Sequence, residues 1–159
     1  MKVEKLMTRT VATCGPQDTL DYAASLMWQN DCGCLPVVAI NGAVRVCGMI
    51  TDRDICMSAL FKGKALGELR VEGAMARDLQ TCQPGDTLAL VERKMQNSRV
   101  RRLPVVDEAG ALVGIVSMAD LAAEAARLQF RQHQEIPGSE VTTTLAAICK
   151  PDRDRQATA

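Results

Sequence analysis

At 159 residues and 47% apolar content, the chain is long enough to bury one core, or two small lobes sharing one, without disulfide or metal staples. Nineteen basic and nineteen acidic side chains leave a formal net charge of zero, so no overall field gathers nucleic acid or an anionic membrane. No apolar run approaches the ~20 residues needed to cross a bilayer, and the opening MKVEKLMTRT carries charge where a secretion signal needs an apolar stretch, so the expected compartment is the cytoplasm.

In chain order, Val11 to Cys14 reads as a short strand stopped by Pro16. Asp18 or Thr19 can then cap a helix whose apolar residues Leu20, Ala23, Ala24 and Met27 fall at i, i+3, i+4 and i+7. The run LPVVAI is followed by Asn41 and Gly42, a strong two-residue hairpin signal, and then by the strand AVRVCGMI. A helix from about Asp52 to Phe61 completes the unit. The same order returns with a helix over Leu88 to Ser98, a strand over Leu103 to Val106, a turn at Glu108 to Gly110, a strand over Ala111 to Val116 and a helix from about Met118 to His133. Past Gln134, Pro137 and Gly138 break the pattern, Ser139 can cap a short amphipathic turn carrying Val141, Leu145 and Ile148, and PDRDRQATA is a polar tail.

The return is a true internal repeat. Shifted by sixty-eight residues, Val3 to Val38 matches Val71 to Val106 at fifteen of thirty-six positions, including TCGPQDTL against TCQPGDTL and LPVV against LPVV. The register then slips by two, so that Gly48, Thr51 and Asp54 of GMITDRD meet Gly114, Ser117 and Asp120 of GIVSMAD. The division is residues 1–66 for the first copy with its lead-in, 67–134 for the second, and 135–159 for the terminal segment. Each copy reads as β-α-β-β-α with a three-stranded sheet too small to bury its apolar face alone, and pairing the two solves that problem.

The duplicated corner carries the chemistry. A strand ending in a hydroxyl residue at a helix start places a side-chain donor and backbone N–H groups at one point, which suits an anionic phosphate. An acid three residues on can accept hydrogen bonds from both hydroxyls of a ribose. The same residues serve equally as ordinary helix caps. The copies differ most at RVRRLPVV against DCGCLPVV, where Arg99, Arg101 and Arg102 replace Asp31, Gly33 and Cys34. Arginine forks suit phosphate oxygens.

The duplicated M-x-x-x-x-x-T-C-x-P-x-D-T-L opening, the duplicated LPVV and the duplicated G-[MI]-[IV]-[TS]-x-x-D corner resemble a tandem pair of cystathionine β-synthase (CBS) domains, the Bateman module, over residues 3 to 130. That resemblance implies an α/β (α+β) fold in which the two repeats pack about a pseudo-twofold axis through their sheets. It implies two clefts for adenosine-containing ligands such as AMP, ADP, ATP or S-adenosylmethionine, with no required cofactor. One cleft would take Thr51 and Asp54 with Thr81, Cys82 and Val100, and the other Ser117 and Asp120 with Thr13, Cys14 and Cys32. Met49 and Ile115 would form apolar walls, Arg101 and Arg102 would hold ligand phosphates, and Cys34 faces Arg102 in the alignment. The resemblance further implies a homodimer through the module's helices. With no effector domain in these residues, it also implies regulation of a separate effector protein.

Other readings are weaker. His133 is the only histidine, so no Ser-His-Asp or Cys-His arrangement forms within the chain, and no Walker or dinucleotide glycine motif occurs; an enzyme is not expected. Seven cysteines, including Cys32-Gly33-Cys34, leave a redox or metal sensor open, but C-x-C without a second pair is a poor zinc signature and most of these thiols read as packing residues. Four aromatic residues offer too few stacking platforms for nucleic-acid binding. A scaffold that dimerises without binding nucleotide is the remaining alternative.

Overall fold

The computed structural model describes residues 1–40, 44–129 and 144–145. Two antiparallel hairpins form its centre: β1 (Cys34–Ile40) with β2 (Val44–Thr51), and β3 (Arg102–Val106) with β4 (Leu112–Ser117). Around them lie α1 (Leu20–Gln29), α2 (Asp52–Lys62), α3 (Leu88–Ser98) and α4 (Met118–Gln129), with 3-10 turns at Val3–Lys5, Leu66–Glu68 and Val71–Gly73. The mixed α+β class expected from the repeat is the one observed. The Asn41–Gly42 turn, His133 and the terminal segment apart from Thr144 and Leu145 lie outside the described residues.

One expectation is corrected. The opening strands at Val11–Cys14 and around Cys82 are not strands, and each sheet has two strands rather than three. Each opening segment contributes a single parallel bridge, Cys14 to Val37 and Cys82 to Val105. In the first, Cys14 N–H donates to Pro36 O and Val38 N–H donates to Cys14 O; in the second, Cys82 N–H donates to Pro104 O and Val106 N–H donates to Cys82 O. The ladder cannot grow in either direction. Its next rung one way needs an N–H from Pro36 or Pro104, and the other way from Pro16 or Pro84, and proline has none.

The helices follow the apolar spacing. Leu20, Ala23 and Met27 of α1, and Leu88, Val91 and Met95 of α3, point inward at equivalent positions. Two buried clusters result. One joins α1, β1, β2 and Ile55 to Leu69, Val71 and Met75; the other joins α3, β3, β4 and α4 to Val3 and Met7. The lead-in of the first copy therefore closes the core of the second, and the segment between the copies closes the core of the first. Thr8 exchanges backbone hydrogen bonds with Ile115 at 2.9 Å each, and Ala76 does the same with Met49 at 2.8 and 3.0 Å.

These crossings explain the repeated glycine before each corner. A Cβ on Gly48 would lie 2.8 Å from Ala76 O and 2.9 Å from Met75 Sδ; one on Gly114 would lie 2.8 Å from Met7 Sδ and 3.0 Å from Thr8 O. The halves also meet at Arg45 and Ala111, which form an isolated bridge and are each other's counterparts under the repeat, as residues near a pseudo-twofold axis must be. On α3, Gln96 Nε2 donates to the hydroxyl of Thr144, which is fully buried.

Because the carbonyls opposite Gly48 and Gly114 are themselves paired in the crossings, Gly48→Ala and Gly114→Ala should each lower the unfolding free energy by about 1–3 kcal/mol, the usual cost of overpacking. Gly85→Ala, with nothing within 4 Å of its added Cβ, should change it by less than about 0.5 kcal/mol. Urea unfolding followed by circular dichroism measures all three.

Candidate functional site

Thr51 ends β2 and caps α2, and Asp54 sits in the helix's first turn. Thr51 N–H and Thr51 Oγ1 both donate to Asp54 Oδ2, at 2.9 and 2.7 Å, and Asp54 N–H returns a bond to Thr51 Oγ1 at 3.2 Å. Ser117 and Asp120 repeat the figure at 2.8, 2.6 and 3.2 Å. Both corners are complete capping boxes, and all four side chains are partly buried. In each, one carboxylate oxygen is committed to the cap. The second, Oδ1, receives no hydrogen bond from a described residue.

The backbone donors at these helix starts are more occupied than the sequence implies. Asp52 N–H donates to Gly33 O at 3.1 Å and Met118 N–H to Arg101 O at 2.9 Å, while Arg53 N–H is taken by the Asp52 carboxylate at 2.7 Å. Ala119 has no side-chain acceptor of that kind before it. The two corners thus share a frame and differ in polarity: Asp52 and Arg53 at the first, Met118 and Ala119 at the second.

The corners adjoin through the starts of β1 and β3. Cys34 pairs with Thr51, and Arg102 with Ser117. Burial raises the Cys34 thiol pKa, while the Arg102 guanidinium, close enough to act on that sulfur, pulls it the other way. A row therefore runs Thr51, Cys34, Arg102, Ser117, with the arginine of one copy beside the cysteine that is its own counterpart. Arg101 and Arg102 are exposed, and no ion pair of theirs is found among the described residues; Lys94 pairs with Asp86 at 3.1 Å. Arg99 caps α3 in the left-handed conformation.

The remaining residues divide between walls and core. Met49 and Ile115 are partly buried on strands held by the crossings at Ala76 and Thr8. Val100 packs against the second core, Cys32 against the first, and Thr13 is partly buried. Thr81 O accepts from Lys94 Nζ at 3.0 Å. Cys14 and Cys82 lie in different cores. Burial, with Asp18 and Cys47 adding to it, pushes the Cys14 thiol up to about 12; burial pushes Cys82 up to about 11 against the pull of Lys94. Among the described residues, no three His, Cys, Asp or Glu side chains converge as metal ligands, and no helix is long and apolar enough to cross a membrane. The sequence reading missed the Met7–Thr8 and Met75–Ala76 crossings behind Ile115 and Met49. The sequence carries a partial signal for them, a methionine repeated as Met7 and Met75 in the two opening segments.

The model of the CBS domain matches residues 3–60 and 67–133. The CBS domain-containing protein YhcV of Bacillus subtilis is 40% identical over 120 residues, which span 76% of this chain and 82% of YhcV. Hypoxic response protein 1 of Mycobacterium tuberculosis is 32% identical over 150 residues, 92% of each chain. A crystal structure of Hypoxic Response Protein I with two coordinated zinc ions aligns at TM-score 0.68 and 29% identity, covering 77% of this chain and 98% of that one. The CBS domain pair of MJ0100, solved with 5'-methylthioadenosine and S-adenosyl-L-methionine, aligns at TM-score 0.69 and 25% identity, covering 84% of this chain and 98% of that one.

Thiol reactivity checks the placement of the cysteines. At pH 8, below the raised pKa values of Cys14 and Cys82, the exposed Cys56 should alkylate quickly and those two only on unfolding. Peptide mass spectrometry of the native protein over time reads the order. Modification of Cys14 at the rate of Cys56 would show a core far more open than the structure.

Proposed function

Because the chain belongs to the CBS domain family, as a pair of such domains, we propose that this regulatory module binds an adenosine-containing ligand at the Thr51–Asp54 corner and passes the change to a separate effector protein. The observation that carries the reading is the duplicated carboxylate corner with the exposed Arg101 and Arg102 between its copies. Asp54 Oδ1 would accept from the ribose hydroxyls while Oδ2 keeps its cap, and Arg101 and Arg102 would take the phosphate oxygens. Met49 and Val100 would line the base. The MJ0100 pair's complex with 5'-methylthioadenosine and S-adenosyl-L-methionine supports the ligand class.

The two corners would not be equal. The Ser117–Asp120 corner would draw on Gly33 and Cys34 of the first copy where the Thr51–Asp54 corner would draw on Arg101 and Arg102, although Arg102 also pairs with Ser117 across β3 and β4, and it has Ala119 beside the acid where the first corner has Arg53. A phosphorylated ligand is favoured at the first corner, and a less anionic adenosine at the second. No catalytic step is assigned to the chain. Regulation would arise because the walls at Met49 and Ile115 are strands paired to the crossings, so that a ligand drawing on them biases how the copies are joined.

A thermal-shift panel of AMP, ADP, ATP and S-adenosylmethionine tests this, since binding to the native state alone raises its melting temperature. At least one adenylate should raise it in the wild type. Asp54→Ala should abolish that rise, measured against its own unliganded melting point because the cap is lost too. The doubly substituted R101A/R102A should weaken ATP or AMP at least roughly tenfold, the loss of charge-assisted bonds worth ~1.5–3 kcal/mol, and S-adenosylmethionine much less. No shift with any of the four ligands would leave a scaffold as the better reading, and equal losses from Asp54→Ala and Asp120→Ala would refute the inequality.

A further inference from the structure

The two crossings are equivalent in their bonds and unequal in what holds them. Both segments enter the opposite copy alike: Val3 N–H donates to Asp86 O and Glu4 N–H to Pro84 O, as Val71 N–H donates to Asp18 O and Glu72 N–H to Pro16 O, all at 2.9 to 3.0 Å. Val3 and Val71 are both fully buried. Beyond these shared bonds, the segment between the copies has further anchors. Leu69 is buried, the Leu66–Glu68 turn packs on α1, Arg70 Nη1 donates to Gln17 O at 2.9 Å, and Lys62 Nζ donates to Gly73 O at 3.1 Å. In the lead-in, the counterpart of Leu69 is Met1, which is exposed. Among the described residues, no side-chain hydrogen bond is found from Lys2, the counterpart of Arg70, or to Lys5 O, the counterpart of Gly73 O.

We propose that residues 1–8 form a strap that unlatches from the second copy while the Ala76–Met49 crossing stays closed, and that the ligand corner it governs is Ser117–Asp120. Local openings range from near zero to the full unfolding free energy, and a segment with fewer anchors lies at the low end. Release withdraws Met7 from the space over Gly114 and leaves Ile115 without its outer partner. That strand residue stands two before Ser117, and five residues after Thr8 the same segment supplies Thr13, which the proposed ligand would meet from the other side. A ligand touching both sides therefore closes the strap, and an emptied corner lets it go. The unlatching is independent of the adenosine reading, and only its link to the corner rests on that reading.

Hydrogen exchange of single amides in the whole chain, followed by NMR without ligand, tests the strap. Thr8 and Ile115 should exchange through one shared opening, at least roughly tenfold faster than Met49 and Ala76 after correction for intrinsic rates. Val71→Ala removes two buried methyl groups from the better-anchored segment and should speed Met49 and Ala76 roughly tenfold, leaving Thr8 and Ile115 within about twofold, since Val71 stays buried when the strap opens. Val3→Ala should speed both pairs, because an opening that frees Ala76 frees the strap as well. Equal exchange in the two pairs, or a Val71→Ala effect as large on Thr8 as on Ala76, would overturn the strap. Saturating S-adenosylmethionine should then slow Thr8 and Ile115 at least roughly fivefold in the wild type and leave them unchanged in Asp120→Ala, each protein compared with its own unliganded rates. Slowing that survives Asp120→Ala, a melting shift without slowing, or no melting shift with this ligand would each overturn the link to the corner, and the strap stands or falls on the unliganded exchange in every case.

Discussion

The structure depends on two backbone crossings, Ala76 on Met49 and Thr8 on Ile115. Each is possible because the strand residue next to it is glycine, leaving the space that Met75 or Met7 fills. A two-stranded hairpin is marginal by itself, and here neither hairpin is completed by its own copy. The chain leaves the edge of β4 at Thr8, reaches β1 at Cys14, returns to β2 at Ala76 and reaches β3 at Cys82, so each opening segment stitches one half to the other. The prolines at 16, 36, 84 and 104 keep the parallel stitches at Cys14 and Cys82 to a single rung. A joint made of a few backbone bonds between two well-packed cores is the place in such a molecule where a small energy can have a large effect.

The corners hold in place, by their own capping bonds, the side chains that the proposed ligand would use. Each capping box satisfies a helix donor and the strand-end N–H together, and it locks one rotamer of Asp54 and of Asp120. Net contributions of such bonds are ~0.5–1.5 kcal/mol each, enough to fix a side chain and too little to resist a ligand that brings several bonds of its own. Preorganisation lowers the cost of binding, because the carboxylate loses no further rotamer freedom. Cap and proposed ligand contact are therefore not rival explanations of Thr51 and Asp54: one oxygen does the first task, and the other would be left for the second.

Much of this was legible in the sequence for a physical reason. Helix faces are set by local spacing, so α1 and α3 came out where Leu20 to Met27 and Leu88 to Met95 placed them, and α3 to the residue. The corners were legible because a capping box is a short-range pattern. The opening strands were not, although the cause stood in plain sight: whether a ladder extends depends on the N–H groups of its partner, and Pro36 and Pro104 deny the rung that Val11 and Ala12 would need. The crossings were hidden for a different reason. Met7 and Gly114 are more than a hundred residues apart, and nothing local states that the first methionine serves the second glycine. Cys14 and Cys82 align in the repeat, and their thiols lie in separate cores.

Duplication also explains where the two halves are free to differ. The features kept in both copies are those that backbone geometry demands: the glycines under the crossings, the prolines that stop the ladder, and the hydroxyl and acid that close each cap. A change at any of these leaves a clash or an unmatched donor, whichever copy it falls in. Trp28 against Gln96 and Cys34 against Arg102 carry no such duty, since their side chains project from elements whose bonds are already made. Divergence was cheap there, and it falls on the outer helix faces and on the row between the corners. A twofold frame can in this way hold corners that differ at Asp52 and Arg53 against Met118 and Ala119, and helix faces that differ at Trp28 against Gln96, without any change in the joint that makes them a single molecule.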